Sequence, residues 1–227
     1  MKKMFLSAIF LLTALSMNAQ AIGIQKEMSH QGLLVEIGTD HGEILVKLYE
    51  DTPIHTANFI KLAQENFYEG ILFHRVIKNF MIQAGDPKSR DASPEDMLGD
   101  GSLGYTLPAE FVPERFHKRG ALCAARMGDQ VNPKKESSSC QFYIVQGEVW
   151  DNAALDKMEA RFGKKFTEEQ RKVYTSVGGT PFLDGEYTVF GEVLEGMEVV
   201  DKISMSDCDK NDRPREDVRI TYVRIVK

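Results

Sequence analysis

Arg75 and Gln83 stand inside "FHRVIKNFMIQAGD", residues 73–86, among Phe, Val, Ile and Met and with no acid before Asp86. An unpaired guanidinium is costly to remove from water, so its place in such a run asks for a purpose. Arginine stays protonated, presents several N–H donors in a rigid plane and is less strongly hydrated than lysine, which suits it to steady donation toward one point. If "FHRVI" is a strand, alternation puts Phe73, Arg75 and Ile77 on one face, and Met81 and Gln83 share a face farther on. Gln141 and Tyr143 in "CQFYI" repeat the spacing. Three segments thus set a hydrogen-bonding side chain beside a large apolar one, the make-up of a pocket that seats an apolar ring while addressing an amide. The plainer alternative makes Arg75 a strand-edge residue paired to a carboxylate, with both glutamines in water.

Other chemistries find less support. His30, His41, His55, His74 and His117 fall in separate elements without H-x-x-x-H spacing or a surrounding acidic cluster, so neither a metal site nor a cofactor is expected. Ser137 to Ser139 lack a nucleophile-elbow motif, and Gly178-Gly179 reads as a turn before "TPFLDG" with no phosphate-loop lysine after it. Hydrolysis is therefore a weak reading.

The elements around these residues follow from period and punctuation. "LLVEIGTDHGEILVKLYE" holds two alternating runs, Leu33, Val35, Ile37 and Ile44, Val46, Leu48, around a turn, which predicts a hairpin. "DTPIHTANFIKLAQENFYEG" changes to a helical period, with Thr52 as N-cap and Pro53 at the first helical position. "DPKSRDASPEDMLGDGSLG" is a long surface loop beside the candidate site. "GALCAARM", "SSSCQFYIVQG", "EYTVFGEVLEG" and "VRITYVRIVK" read as further strands, with "MEVVDKI" as a short helix. Residues 151–177 break this rhythm: Leu155, Met158 and Phe162, then "FTEEQRKVYTSV" with Thr167 and Gln170 spaced as a capping box, predict two short helices inserted into a β framework. The insertion either covers a sheet edge or bears on partner choice. The pattern as a whole predicts a β sandwich or barrel with helical additions.

Lys2 and Lys3, the eleven-residue "FLSAIFLLTAL" and the small-residue "SMNAQA" have the order of a secretory signal peptide, too short in its apolar run to span a bilayer. The segment 1–21 is assigned to it, with cleavage after Ala19 or after Ala21, and the mature form has no membrane span. Its removal deletes two lysines and no acid, taking the formal charge from −6 to −8, so nucleic acid is excluded as a partner. Cys123, Cys140 and Cys208 are odd in number and form no C-x-x-C motif; Cys123 and Cys140 are either a disulfide or two buried thiols.

"FHRVIKNFMIQAGDP", "GSLGYTLPAEF", "GALCAAR", "SSSCQFYIVQG" and "FLDGEYTVFGEVLEGMEVVDKI" occur in the order and spacing of cyclophilin-type peptidyl-prolyl cis-trans isomerases, and the chain resembles that family over most of residues 31–227. The resemblance implies a mainly β fold, a closed eight-stranded antiparallel β-barrel capped by helices, and it leaves out the helical insertion around 151–177. It implies a monomeric isomerase acting on proline-containing peptides and unfolded proteins, while the signal segment and the acidic charge point to exported proteins in the periplasm. Arg75 falls on the family's catalytic arginine, with Gln83 as its polar companion. Phe80, Met81, Tyr143 and Leu183 fall on the proline pocket, Gln141 on a polar contact, and Ala125 and Arg126 on the strand whose backbone pairs with the peptide. Tyr143 stands where the familiar eukaryotic pattern has phenylalanine, Arg126 for asparagine, Phe182 for tryptophan and Tyr187 for histidine. Phe182 and Tyr187 keep an aromatic wall, but without the tryptophan only weak cyclosporin binding is expected. The rival reading is a module that captures proline-bearing segments with little turnover; Arg75 argues for the enzyme, because capture of a planar prolyl peptide has less need of it.

Overall fold

β1 (Leu33–Thr39) and β2 (Gly42–Leu48) form the expected hairpin, with Val35, Ile37, Ile44 and Val46 fully buried. Thr39 stitches the turn, its hydroxyl donating to the Gly42 carbonyl at 2.8 Å and accepting the His41 N–H at 3.1 Å. The structure, a computed structural model, describes residues 33–226; the assigned signal segment 1–21 lies outside them.

The remaining strands are β3 (Arg75–Ile77), β4 (Met81–Ala84), β5 (Thr106–Leu107), β6 (Ala121–Ala124), β7 (Ser137–Ser138), β8 (Phe142–Val145), β9 (Val189–Glu195) and β10 (Ile220–Val226). Eight of them make one antiparallel sheet in the order β10-β1-β2-β9-β6-β8-β4-β3, while β5 and β7 pair separately. The sheet curls toward a barrel, yet the expected closure is incomplete. β3 and β10 remain its two ends, joined by an isolated bridge at Leu72–Arg219 and by the Phe73 N–H bonded to the Val218 carbonyl at 2.9 Å. The reason is length: β3 has three residues, and the chain before it has only just left the turn that follows the first helix. For the same reason Phe73 does not share a strand face with Arg75. It precedes the strand and is 1% exposed.

Helix Pro53–Gln64 buries His55, Phe59, Leu62 and Ala63, and the Phe59 ring meets Tyr68, Phe142 and Phe190 at 5.0 to 5.5 Å. Thr52 holds the predicted N-cap position, but its side chain makes no cap bond. The Glu110 carboxylate, 55 residues downstream of His55, accepts the Ile54 and His55 N–H groups instead. A carboxylate suits the helix N-terminus electrostatically, and Glu110 also holds the His55 ring at 2.6 Å, whose far nitrogen meets Ser137 Oγ at 2.8 Å. Hydroxyl, imidazole and carboxylate stand here in the order of a charge relay, but His55 and Ser137 are 2% and 1% exposed, and the trio acts as a strut between helix and β7. Helix Met197–Ser204 packs on β2, β3 and β4.

The insertion forms its two helices, Asn152–Phe162 and Glu168–Ser176, and Thr167 and Gln170 make both bonds of the capping box. The helices share a small core of Phe116, Leu155 and Tyr174, flanked by Trp150, Phe166 and Val173. Glu159 ties it together, accepting the Phe166 N–H at 2.8 Å and facing Arg171 at 2.9 Å. That backbone bond, with Lys165 and Arg171, pulls the Glu159 carboxyl down to about 2. Cys123 and Cys140 are free buried thiols, so the choice between disulfide and thiols falls to the thiols. Cys123 sits opposite Tyr143 in the β6–β8 ladder, while Cys140 lies ahead of β8, away from that register.

Candidate active site

Arg75 and Gln83 are direct cross-strand partners in the β3–β4 hairpin. Val76, between Arg75 and Ile77, turns into the core at 3% exposure, and alternation therefore throws the guanidinium outward. This resolves the tension in the sequence: the Arg75 side chain is 42% exposed, so the folded chain does not bury it. Asp212 faces its Nε at 3.7 Å, a pair between half-exposed groups that contributes little. The Phe80 ring lies under the guanidinium carbon at 5.9 Å.

Beside Arg75 the outer surface of the sheet is itself a hydrophobic cluster. Met81, Ala125, Tyr143 and Val145 are buried there, with Phe80, Leu183 and Tyr187 packed partly exposed at its rim. A cleft of about 380 Å³ opens over them and is lined by Arg75, Phe80, Met81, Gln83, Ala125, Arg126, Tyr143, Leu183 and Tyr187. Nine of the residues singled out from the sequence are thus brought to one hollow. Phe182 and Gln141 stand behind it. The Phe182 ring backs Phe80 at 5.8 Å, and Trp150 backs Phe182 at 6.4 Å.

Gln141, 6% exposed, gives direction to the polar side. Its amide NH₂ donates to the Gly99 and Gly101 carbonyls at 3.0 and 2.9 Å, which can only accept. Its oxygen then takes the Gln83 NH₂ at 3.0 Å, and Gln83 is left with its own oxygen toward Arg75 at 3.4 Å. Buried Asp86 fixes the Gly99–Gly101 loop by accepting both N–H groups, at 2.5 and 3.3 Å.

The backbone at the cleft edge is partly committed. Ala125 donates to the Gln141 carbonyl and accepts from the Ser138 N–H, so it offers its methyl group rather than its peptide. The Arg126 side chain folds back at 4.5 Å over Tyr187 and donates to the Glu186 and Met127 carbonyls and to Asp129.

The family model described as cyclophilin type peptidyl-prolyl cis-trans isomerase matches residues 34–225. The chain belongs to the cyclophilin family. A Staphylococcus haemolyticus protein named as a peptidyl-prolyl cis-trans isomerase is 32% identical over 203 residues, 89% of this chain and 96% of that protein. A Streptococcus pyogenes protein named as a bifunctional phosphatase and peptidyl-prolyl cis-trans isomerase is 36% identical over 87% of this chain, which spans 39% of that longer protein. The crystal structure of a Cryptosporidium parvum cyclophilin type isomerase matches with a TM-score of 0.64 at 24% identity, covering 86% of this chain and 98% of that one, a likeness of fold. The activity of this cyclophilin is peptidyl-prolyl cis-trans isomerisation, and proline-containing peptides are its substrates.

Several residues of the cleft escape the sequence reading. His74, Leu98, Gly99, Asp100, Met127 and Asn211 also line it. The composition of the polar loop is the one signal that points to Leu98, Gly99 and Asp100. His74 is 4% exposed, neither ring nitrogen has a hydrogen-bond partner among the described residues, and burial pulls it down to about 4. Asp212 and His117 carry no recognisable spacing. His117, wholly buried, contacts the Tyr143 hydroxyl at 3.0 Å from beneath the cleft. Burial raises both the Tyr143 phenol and the Cys123 thiol, so neither ionises near neutrality. Among the described residues no group of His, Cys, Asp or Glu could hold a metal ion, and no helix is long and apolar enough to cross a membrane.

Proposed function

We propose that Arg75 is the catalytic donor, that Gln83 steadies it, and that Phe80, Met81, Tyr143, Leu183 and Tyr187 grip the prolyl ring. An X-Pro bond turns slowly because its partial double bond must be lost, against a barrier of about 18 to 20 kcal/mol. In the twisted state the prolyl nitrogen becomes pyramidal and its lone pair accepts a hydrogen bond. A donor fixed there binds the twisted form better than either planar isomer, and that difference is catalysis. The observation that carries this reading is the placement of one guanidinium at the rim of an apolar hollow, with a chain of amides whose polarity points an oxygen at it. A preorganised donor in a dry site contributes about 3 to 4 kcal/mol. Arg75 is half in water before substrate arrives, so a lower value of about 1.5 to 3 kcal/mol, that of a charged hydrogen bond, is the better expectation.

Two-dimensional NMR exchange spectroscopy on an Ala-Pro peptide observes the rotation itself. Arg75→Ala is expected to slow turnover at least about tenfold in a folded protein, equivalent to about 1.4 kcal/mol; wild-type turnover in that variant removes the assignment.

We also read residues 31–227 as the isomerase domain of an exported protein that acts in the periplasm on newly translocated chains. The basic, apolar and small-residue order of segment 1–21 and the acidic charge support this, and prolyl steps of tens of seconds would limit the folding of such clients. N-terminal sequencing of the protein from a periplasmic fraction tests it: a mature chain starting at residue 20 or 22 is expected, and an intact Met1 in the cytosol contradicts it.

A further inference from the structure

We infer that the 151–177 insertion is a positioning element of the active site, acting through the chain Tyr174, Asp184, His117 and Tyr143, which holds the Tyr143 ring in the plane that seats proline. The inference rests on the reading of Tyr143 as part of the proline cup.

Tyr174, in the second insertion helix, is wholly buried and edge-on to Phe116 at 5.5 Å. Its hydroxyl donates to Asp184 Oδ2 at 2.7 Å. The other carboxylate oxygen takes the His117 backbone N–H at 2.8 Å and faces the His117 Nδ1 at 3.0 Å. In a neutral His117 ring the carboxylate takes the proton on Nδ1, and Nε2 is left to accept. Tyr143 fills that need, donating its O–H at 3.0 Å. The donor directions are therefore set in sequence from the insertion to the floor of the cleft.

Ring geometry agrees with the hydrogen bonds. The His117 and Tyr143 planes lie within 15° of each other, and Tyr187 meets Tyr143 and His117 edge-on at 84° and 82°. The chain that returns from the insertion also pins His117 directly, through the Thr180 N–H on its carbonyl at 2.8 Å. Gly179 allows that approach, because a Cβ there would sit 2.2 Å from the same carbonyl oxygen. A phenylalanine at 143 would be positioned by packing alone, whereas a buried hydroxyl bonded to His117 favours one orientation of the ring, and a satisfied buried network specifies geometry. Tyr143, the departure from the familiar pattern, and the insertion thus meet in a single bonded chain.

The test is a double-mutant cycle read by NMR titration of an Ala-Pro peptide, giving kcat and KM separately. Tyr174→Phe keeps the ring that packs on Phe116 and removes only the hydroxyl. It is expected to raise KM about threefold to tenfold with kcat within about twofold, while the emission of Trp150, the single tryptophan, stays native. Tyr143→Phe should raise KM similarly, and the double variant no further than the larger single. A wild-type KM for Tyr174→Phe, or effects that multiply in the double, overturns the inference. Should Tyr174→Phe loosen the insertion, His117→Gln, which leaves the Tyr174 and Asp184 contact in place, enters the same cycle against Tyr143→Phe: a raised KM that does not multiply in the double supports the relay, and a wild-type KM or multiplying effects overturn it. Leu183→Ala separates the two readings: if it and Tyr143→Phe both leave KM unchanged, the cup assignment fails; if it raises KM and Tyr174→Phe does not, the relay alone fails.

Discussion

Two hydrogen-bonded chains reach the cleft from opposite sides and differ in what they are made of. The first runs from the Gly99 and Gly101 carbonyls through Gln141 and Gln83 to Arg75, is built of neutral amides, and ends in a charge that is 42% exposed. The second runs from Tyr174 through Asp184 and His117 to Tyr143, and three of its four members are at most 4% exposed. An exposed terminus is free to meet a transition state, whereas a buried chain can only hold its neighbour still. On the roles proposed for Arg75 and Tyr143, the cleft divides its labour between a reacting side and a gripping side, the first chain starting in the polar loop and the second in the helical insertion.

The largest effect that would break this comparison lies at Arg75. Arg75→Lys keeps the charge but loses the planar fork, and turnover by exchange spectroscopy is expected to fall by at least about fivefold; a lysine enzyme near wild type would mean that charge alone suffices. Next comes Gln141→Leu, which strands the two loop carbonyls and the Gln83 amide. It should cost about 1 to 3 kcal/mol in urea unfolding and about threefold to tenfold in turnover through a disordered Gln83. An unfolding cost without a turnover cost would reduce the first chain to scaffolding.

Acid distinguishes the two sides. His74, beneath the reacting side, has its folded value depressed to about 4, so the folded state favours the neutral ring. Its contribution is complete above the unfolded value near 6.5 and is lost as pH falls toward 4, by about 2 to 3 kcal/mol. Urea midpoints between pH 7 and 4.5 should show that decline, and His74→Phe should flatten it. Glu159, in the insertion, has its folded value depressed to about 2, so its contribution is present above about 4.5 and fades as pH falls through 2. Trp150 emission should hold to about pH 4 and shift below it, and Glu159→Gln should remove that late step. One coincident transition for both probes would mean that barrel and insertion lose structure as one unit. The smallest effect belongs to Asp212→Asn. The pair with Arg75 is half-exposed at 3.7 Å, so turnover should move by less than about twofold, and a larger change would make Asp212 a partner in aiming the guanidinium.

Features written in neighbouring residues were legible. The β1–β2 hairpin, the first helix and the capping box at Thr167 and Gln170 all depend on groups a few residues apart, where period and turn chemistry act. The first helix shows the limit of such reading. Thr52 has the right type and place for a cap, but Glu110 arrives from across the chain and takes the N–H groups, an outcome no local pattern announces. Alternation marks Arg75, Gln83, Met81 and Tyr143 because outward and inward positions differ by one residue. It misses Phe73, which lies just before the strand begins.

By itself the sequence determined which side chains face outward on β3, β4 and β8 and where the insertion helices start, since both follow from backbone geometry over a few residues. Only the tertiary structure decided that the outer face of the sheet is apolar enough to form a cup, that Gln141 faces the loop rather than the cleft, and that Tyr174 reaches Tyr143 through Asp184 and His117. Those contacts join groups from separate segments, and their hydrogen-bond directions are set by partners that become neighbours only when the chain is folded.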